Sequence, residues 1–256
     1  VVHHALVKII EPLFEKKFIA DSFACRRGRG THRAVCRVYD FARKADVDFR
    51  DVYVLKCDVS KYFPSVNHRI LKEVIRRTIR DKEVLWLIDK IIERGNGSDC
   101  GLPIGALTSQ LFANIYLNDL DHFVKDSLGV KYYVRYMDDF VVFGEKHRLR
   151  DLYLEIENFL QAELALRFNS KTQIFKLAQG VDFCGYRIWP THILPRKRTV
   201  KRAKKRFKLF VKLYESRKIS IEMARSGIMS FVGYMKYCNG HRTTISVLDK
   251  VILSRR

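Results

Sequence analysis

Acidic residues are scarce in this chain, and the scarcity is unevenly spread. Across 256 residues, 28 Asp and Glu face 49 Lys and Arg, a net charge of +21. Residues 195–256 hold 18 Lys and Arg against 3 acids (Glu215, Glu222 and Asp249), which puts +15 there and only +6 on the other 194 residues. A basic C-terminal region joined to a nearly balanced body suits a part that grips a polyanion, most commonly nucleic acid, beside a part that performs chemistry.

Paired cysteines are also lacking. Cys25, Cys36, Cys57, Cys100, Cys184 and Cys238 lie scattered, which argues against a zinc site or a disulfide framework and for free thiols in a reducing cytoplasm. No apolar run approaches membrane-spanning length and no secretory signal is present, so neither a membrane partner nor export is expected. An apolar fraction of 47% is nonetheless enough for a real core. The chain opens at Val1 without a methionine and already in a helical pattern, and so reads as a fragment with its N-terminus missing.

Helical spacing of apolar residues predicts helices over 1–17 and 31–45, the second capped by Thr31, with the loop CRRGRGTH between them. VYVLKCDV (52–59) reads as a strand. Asn67 caps a helix with Ile70, Leu71, Val74, Ile75 and Ile79 on one face, and Asp81 caps another that ends near Gly95. The glycine-rich stretch 95–105 enters one long helix over 106–128, closed by Gly129. KYYVRYMDDFVVF (131–143) reads as two strands turning at Met137-Asp138-Asp139. A helix over 147–164, strands at 172–177 and 181–188, and basic helices from 199 onward complete the order.

Apart from the first helices and the segment inserted at about 67–105, the middle of the chain runs strand–helix–strand–strand–helix–strand, the split βαβ order. In that topology the third strand lies between the first and second, antiparallel to both. Asp58, at the end of the first strand, then meets Asp138 and Asp139 at the turn joining the other two. Adjacent carboxylates framed by Tyr136, Met137 and Phe140 are costly when partly desolvated, because like charges resist joint ionisation. A divalent cation relieves that cost, and oxygen-only ligands suit Mg2+, with Mn2+ as the alternative. Two such ions can activate an attacking oxygen and stabilise a leaving one. An exposed acidic hairpin turn is the plain alternative for the Asp pair taken alone.

The sequence resembles the reverse transcriptases. Tyr136-Met137-Asp138-Asp139 is similar to their catalytic box, CDVSKYFPSVNH (57–68) to their first aspartate motif, and GLPIGALTSQLFANIYLNDLD (101–121) to their template- and nucleotide-contacting loop and helix. Phe168-Asn169-Ser170-Lys171-Thr172 resembles the lysine motif that follows, and Phe183-Cys184-Gly185-Tyr186 the primer grip. The resemblance implies an α+β right-hand polymerase with partial fingers (1–51), a palm (52–194) and a basic helical thumb (195–256). It implies RNA-directed DNA polymerase activity, with an RNA template, an RNA/DNA duplex and dNTPs as partners.

By the same resemblance Asp58, Asp138 and Asp139 are catalytic, and the Val59 carbonyl is a further metal ligand. Ser60, Lys61, Tyr62, Phe63, Ile104, Gln110 and Lys171 surround the nucleotide. Phe63 stands where a steric gate excludes the ribose 2′-hydroxyl, and Lys171 where the triphosphate is approached and pyrophosphate protonated. Arg26, Arg27 and Arg29 match a loop of the fingers that touches template or nucleotide. A core phenylalanine, a solvated lysine and a solvated basic loop are the plain counterparts of these roles.

Departures from the commonest pattern narrow the resemblance. Group II intron enzymes usually have Gln where this chain has Ile104 and Pro where it has Gln110. The run Ile-Gly-x-Leu-Thr-Ser-Gln and the segment 185–207 resemble the enzymes of diversity-generating retroelements, although Ala106 stands where that group often has Asn. This subtype implies error-prone copying of a template-repeat RNA, and a small basic accessory protein as partner. Intron, retron and phage-defence enzymes are the alternatives, and a catalytically idle RNA-binding scaffold is the rival of another class. In KRAKKRFKLFVKLY (201–214), Phe207, Phe210, Val211 and Tyr214 fall near one helix side, and a second helix over 220–238 carries Ile228, Phe231, Val232 and Met235. The basic residues between them would hold phosphates. A solvated basic bundle is the plain reading there.

Overall fold

The structure, a computed structural model, describes residues 1–93, 99–249 and 251–254. The expected helix end near Gly95 and the start of the glycine-rich stretch lie outside the described residues. The chain divides into two compact units, Val1–Leu177 and Ala178–Arg256.

The first unit is built on four strands, β1 (Tyr53–Asp58), β2 (Tyr133–Tyr136), β3 (Asp139–Gly144) and β4 (Gln173–Lys176), in the order β2-β3-β1-β4 with every pair antiparallel. The third strand does lie between the first and second. Period-two alternation sorts the strand residues onto two faces. Leu55, Cys57, Tyr133, Phe140 and Val142 join the core that includes Leu149, Leu152, Ile156 and Leu160 of α8 (Lys146–Leu164). Val54, Val134, Val141 and Phe143 take the opposite parity, the side covered by α2 (Thr31–Asp48), whose Phe41 packs edge-on to Tyr132 at 5.2 Å. Both faces are largely covered along β1, β2 and β3, which is why those strands read as nearly unbroken apolar runs. Each fully buried Leu or Ile in such a core contributes about 1.5–3 kcal/mol.

Around this sheet lie α1 (Val2–Glu15), which buries Leu6, Val7, Ile10 and Phe14, and the short α3 (Tyr62–Ser65). In α4 (His68–Arg76), Asn67 caps as expected, its side chain accepting from the Ile70 amide at 3.1 Å. The Asp81 carboxylate accepts from the Val84 amide at 2.9 Å at the start of α5 (Lys82–Glu93). Two expectations are corrected. Thr31 is not the cap of α2: Gly30 holds that position, and the Thr31 hydroxyl lies 3.0 Å from the Tyr136 hydroxyl. The long helix over 106–128 is three pieces, α6 (Leu107–Tyr116), α7 (Asn118–His122) and a π-helical turn over Phe123–Ser127. The α6–α7 break falls at Leu117, whose ψ of 1° leaves the helical region.

The second unit begins with a meander, β5 (Val181–Phe183), β6 (Tyr186–Ile188) and β7 (Ile193–Pro195). The single strand expected at 181–188 is therefore a hairpin. Its turn, Cys184-Gly185, has positive φ at both residues (47° and 90°), the signature of a type I′ connection. Three helices follow, α9 (Lys197–Glu215), α10 (Ile221–Met235) and α11 (His241–Leu248). Phe207, Phe231, Met235 and Val247 form their core, with Phe210, Ile228 and Val251 packed against it. Gly227 lets α9 and α10 approach, because a Cβ there would sit 2.4 Å from the Phe210 ring. The Tyr186 ring stacks on Tyr234 at 4.5 Å, and its hydroxyl donates to the Tyr234 carbonyl, tying the meander to α10.

Candidate active site

The register of the sheet puts Asp58, the last residue of β1, directly opposite Asp139, the first of β3. Both belong to the Val54 face, as does Lys56 one alternation earlier. Asp138 occupies the two-residue turn from β2 to β3 with Met137, which carries a positive φ of 59°. Like charges opposite one another on adjacent strands destabilise a sheet, so this arrangement is not one that stability would select.

Electrostatics bear that out. Burial pushes the Asp139 carboxyl up to about 6 against the pull of Lys56, whose ammonium lies 3.6 Å away, and Asp58 and Asp138 push it further. Burial, with Asp58 adding to it, also raises Asp138 above the ordinary carboxylate range. The Oδ1 atom of Asp139 is buried without a hydrogen-bond partner. An orphaned carboxylate oxygen beside two more carboxylates fits a hard divalent cation, which would satisfy it and offset the repulsion. Among the described residues no three acidic, His or Cys side chains already close into a cage that could hold an ion. The site therefore offers a pair and a third carboxylate on a turn, with further ligands to come from backbone or substrate.

Val59 fits as the backbone ligand. It forms an isolated antiparallel bridge with Phe168, closed by Ser60 N–H donating to the Arg167 carbonyl (2.9 Å) and Asn169 N–H to the Asp58 carbonyl (2.7 Å). Those bonds leave the Val59 amide and carbonyl on the other edge of the strand, the β3 side that bears Asp139. The same bridge stitches the loop of Lys171 to the segment after Asp58. Lys171 is exposed, its amide held by the Asn169 side chain at 3.1 Å.

Phe63 is half-buried in α3, edge-on to Tyr62 at 5.6 Å. Its carbonyl accepts from Leu102 N–H at 2.8 Å, and the Val66 carbonyl from Gly101 N–H at 2.8 Å. Gly101 takes φ 107°, a backbone conformation that L side chains rarely adopt, and so permits this zippering. The loop bearing Ile104 is thus fastened to α3, which bears Phe63. Ile104 is 83% exposed, so it does not pack the loop against α6. Ser60 is half-buried, and Lys61 is exposed at a positive φ of 44°.

Several expected site residues turn out to be structural. Tyr62 is buried and its hydroxyl donates to the Ala113 carbonyl at 2.5 Å, so its side chain is closed to a nucleotide. Arg26 is buried too. It forms a fork with Glu15 (2.7 Å) and donates to the Ile19 and Ser22 carbonyls, which spends its donors on the protein. Arg27 is 83% exposed, with only a 3.5 Å contact to Glu11, and Arg29 is half-exposed over the Phe23 ring. Gln110 lines a 350 Å³ cavity with His4, Lys8, Cys25 and Arg27, and none of the three aspartates borders that cavity. In the second unit Phe183 and Tyr186 are buried, leaving the Cys184-Gly185 turn as the accessible part of the expected primer grip.

Sequence reasoning missed Lys56 and Arg135. Strand alternation was signal enough for Lys56, since position 56 shares a face with 58. Arg135 was visible only as a lone cation inside an apolar strand; it is fully buried on Asp121.

An antiparallel palm sheet that sets three aspartates at one edge defines a polymerase-like site. A family model for reverse transcriptase (RNA-dependent DNA polymerase) matches residues 1–188, and the chain belongs to that family. It is 28% identical over 229 residues to Protein YkfC of Escherichia coli (strain K12), covering 73% of this chain and 60% of that protein. It is 29% identical over 133 residues to the group II intron-encoded protein LtrA of Lactococcus lactis subsp. cremoris, covering 48% of this chain and 21% of that one. The chain thus spans less than two thirds of the length of either relative. Among solved structures, apo telomerase from Candida tropicalis superposes with a TM-score of 0.60 at 13% identity, over 96% of this chain and 50% of that one, which shows the polymerase palm fold.

Proposed function

We propose that this chain polymerises deoxynucleotides on an RNA template. The observation that carries this reading is the facing pair Asp58 and Asp139 beside Asp138, with one buried carboxylate oxygen unpartnered. Asp58, Asp138, Asp139 and the Val59 carbonyl would hold Mg2+ or Mn2+, which supplies activation of the primer 3′-oxygen and neutralisation of the departing pyrophosphate, through two ions as in related chemistry. The half-buried Phe63 ring excludes a 2′-hydroxyl by bulk. Lys171, exposed on a loop anchored beside Asp58, donates a proton to pyrophosphate. Arg27 and Arg29 remain to contact template or nucleotide. The Cys184-Gly185 turn steadies the primer, and the exposed lysines and arginines of α9 hold duplex phosphates. In this reading residues 1–51 serve as partial fingers, the sheet as palm and α9–α11 as thumb, working in the cytoplasm.

For subtype, the residue types at 104 and 110, Ile and Gln, support an error-prone enzyme of a diversity-generating retroelement that works with a small basic accessory protein. The likeness to an intron-encoded protein favours the intron reading instead. Sequencing cDNA made on a template with all four bases separates them, since errors concentrated opposite adenine are expected only of the first.

The deciding experiment is primer extension on an RNA template with Mg2+, comparing the natural chain with Asp138→Asn. Extension lost in the variant, with duplex binding retained, is the expected result. Equal extension by both would overturn the catalytic assignment. Duplex binding without extension by either would favour the idle scaffold.

A further inference from the structure

We propose that Arg135 is a positioning residue that fixes the aspartate turn and the arginine–glycine loop as one piece; this rests on the polymerase reading above. Arg135 and Asp121 are both fully buried. The guanidinium grips Asp121 through Nε on Oδ1 (2.6 Å) and Nη2 on Oδ2 (2.5 Å), and the Tyr133 hydroxyl donates to the same Oδ1 at 2.7 Å. A buried ion pair is weak evidence for a stabilising role, because desolvation offsets most of its attraction. What this pair accomplishes is geometric. With two sides of the planar fork locked on Asp121, the third nitrogen is aimed.

That nitrogen, Nη1, donates to the Met137 carbonyl at 2.9 Å and to Asn114 Oδ1 at 3.3 Å. Met137 is the positive-φ residue of the turn, a conformation that an L-residue keeps only when its surroundings impose it. Its carbonyl leads directly into Asp138, so the bond sets the peptide plane from which that carboxylate hangs. Asn114, oriented by the same nitrogen, donates to the Ala24 carbonyl at 2.8 Å. The Arg135 backbone completes the link, its N–H donating to the Asp21 carbonyl (2.9 Å) and its carbonyl accepting from Phe23 N–H (3.0 Å). One residue therefore holds the loop of Arg27 and Arg29 by its main chain and the metal-facing turn by its side chain. A lysine could pair with Asp121 but has no second arm for Met137.

The test uses the full chain carrying Arg135→Lys and, as a second variant, the charge-free pair Arg135→Gln with Asp121→Asn, which still offers Tyr133 an acceptor. Amide hydrogen exchange without metal is read at residues 136–139 and 21–24. Exchange at the turn is expected to quicken about ten-fold or more, and at the loop to a lesser degree, with the rest of the first unit unchanged. In primer extension the Mg2+ concentration for half-maximal rate should rise about ten-fold or more, with duplex affinity unaltered. Unchanged exchange in a folded variant would overturn the proposal, as would unfolding of both variants, since the network would then be ordinary core. Asp138→Asn run in parallel separates the two readings: if it extends primers normally, the polymerase proposal fails whatever exchange shows.

Discussion

Asp58 and Asp139 stand directly opposite each other on adjacent antiparallel strands, and the Lys56 ammonium lies 3.6 Å from Asp139. The fold therefore keeps a repulsive pair at the end of its central sheet, and stability and function pull apart at that point.

The first expectation follows from this opposition. In the folded chain burial raises the Asp139 carboxyl from 3.8 to about 6, so the native state binds its proton more tightly than the unfolded one. Stability without metal should fall as pH rises through that window, and the full cost should stand above pH 6, on the order of 1–3 kcal/mol. Asp139→Asn should thus melt higher than the natural chain at pH 7 without metal. Mg2+ should raise the melting temperature of the natural chain and do so less in the variant. A variant that melts lower, or gains equally from Mg2+, would contradict the account.

Sugar selection is expected to depend on Phe63. In the proposed reading its ring discriminates by bulk and not through a hydrogen bond, so Phe63→Ala should extend with GTP nearly as well as with dGTP on a poly-C template. An unchanged preference would place the gate elsewhere.

Arg26 and Arg27 are neighbours in opposite surroundings, the first buried and the second exposed. Arg26→Ala removes a buried fork and strands the Ile19 and Ser22 carbonyls, at a cost of about 2–4 kcal/mol read by chemical denaturation. Arg27→Ala should leave stability within about 0.5 kcal/mol and instead weaken RNA binding and flatten its salt dependence. Equal effects of the two substitutions on binding would defeat the distinction.

Ile104 is exposed on a loop fastened beside Phe63, and in the proposed reading its side chain offers a template strand shape but no hydrogen bond. Apolar contacts separate close analogues by only about 1–3 kcal/mol. Ile104→Gln should therefore lower misincorporation opposite adenine while leaving the extension rate near normal, as read by sequencing the cDNA. Errors unchanged at normal activity would remove Ile104 from fidelity.

Local pattern was enough for much of this protein. Alternation and turn residues marked the strands around Asp58 and the Met137 turn, the element order implied that β3 lies between β1 and β2, and short-range caps such as Asn67 and Asp81 followed from side chains reaching three residues along the chain. Those features depend on neighbours in sequence or on a topology with few alternatives. Tertiary structure alone decided which polar residues face outward. Tyr62 and Arg26 sit in motifs that look exposed, yet their partners are Ala113 and Glu15, supplied by other elements. The break at Leu117, the division of 181–188 into a hairpin and the Arg135–Asp121 lock likewise depend on packing between segments distant in sequence or on a backbone turn that no apolar period reports. A residue's type states which bonds it can make; only the folded chain determines whether water, substrate or the protein itself receives them.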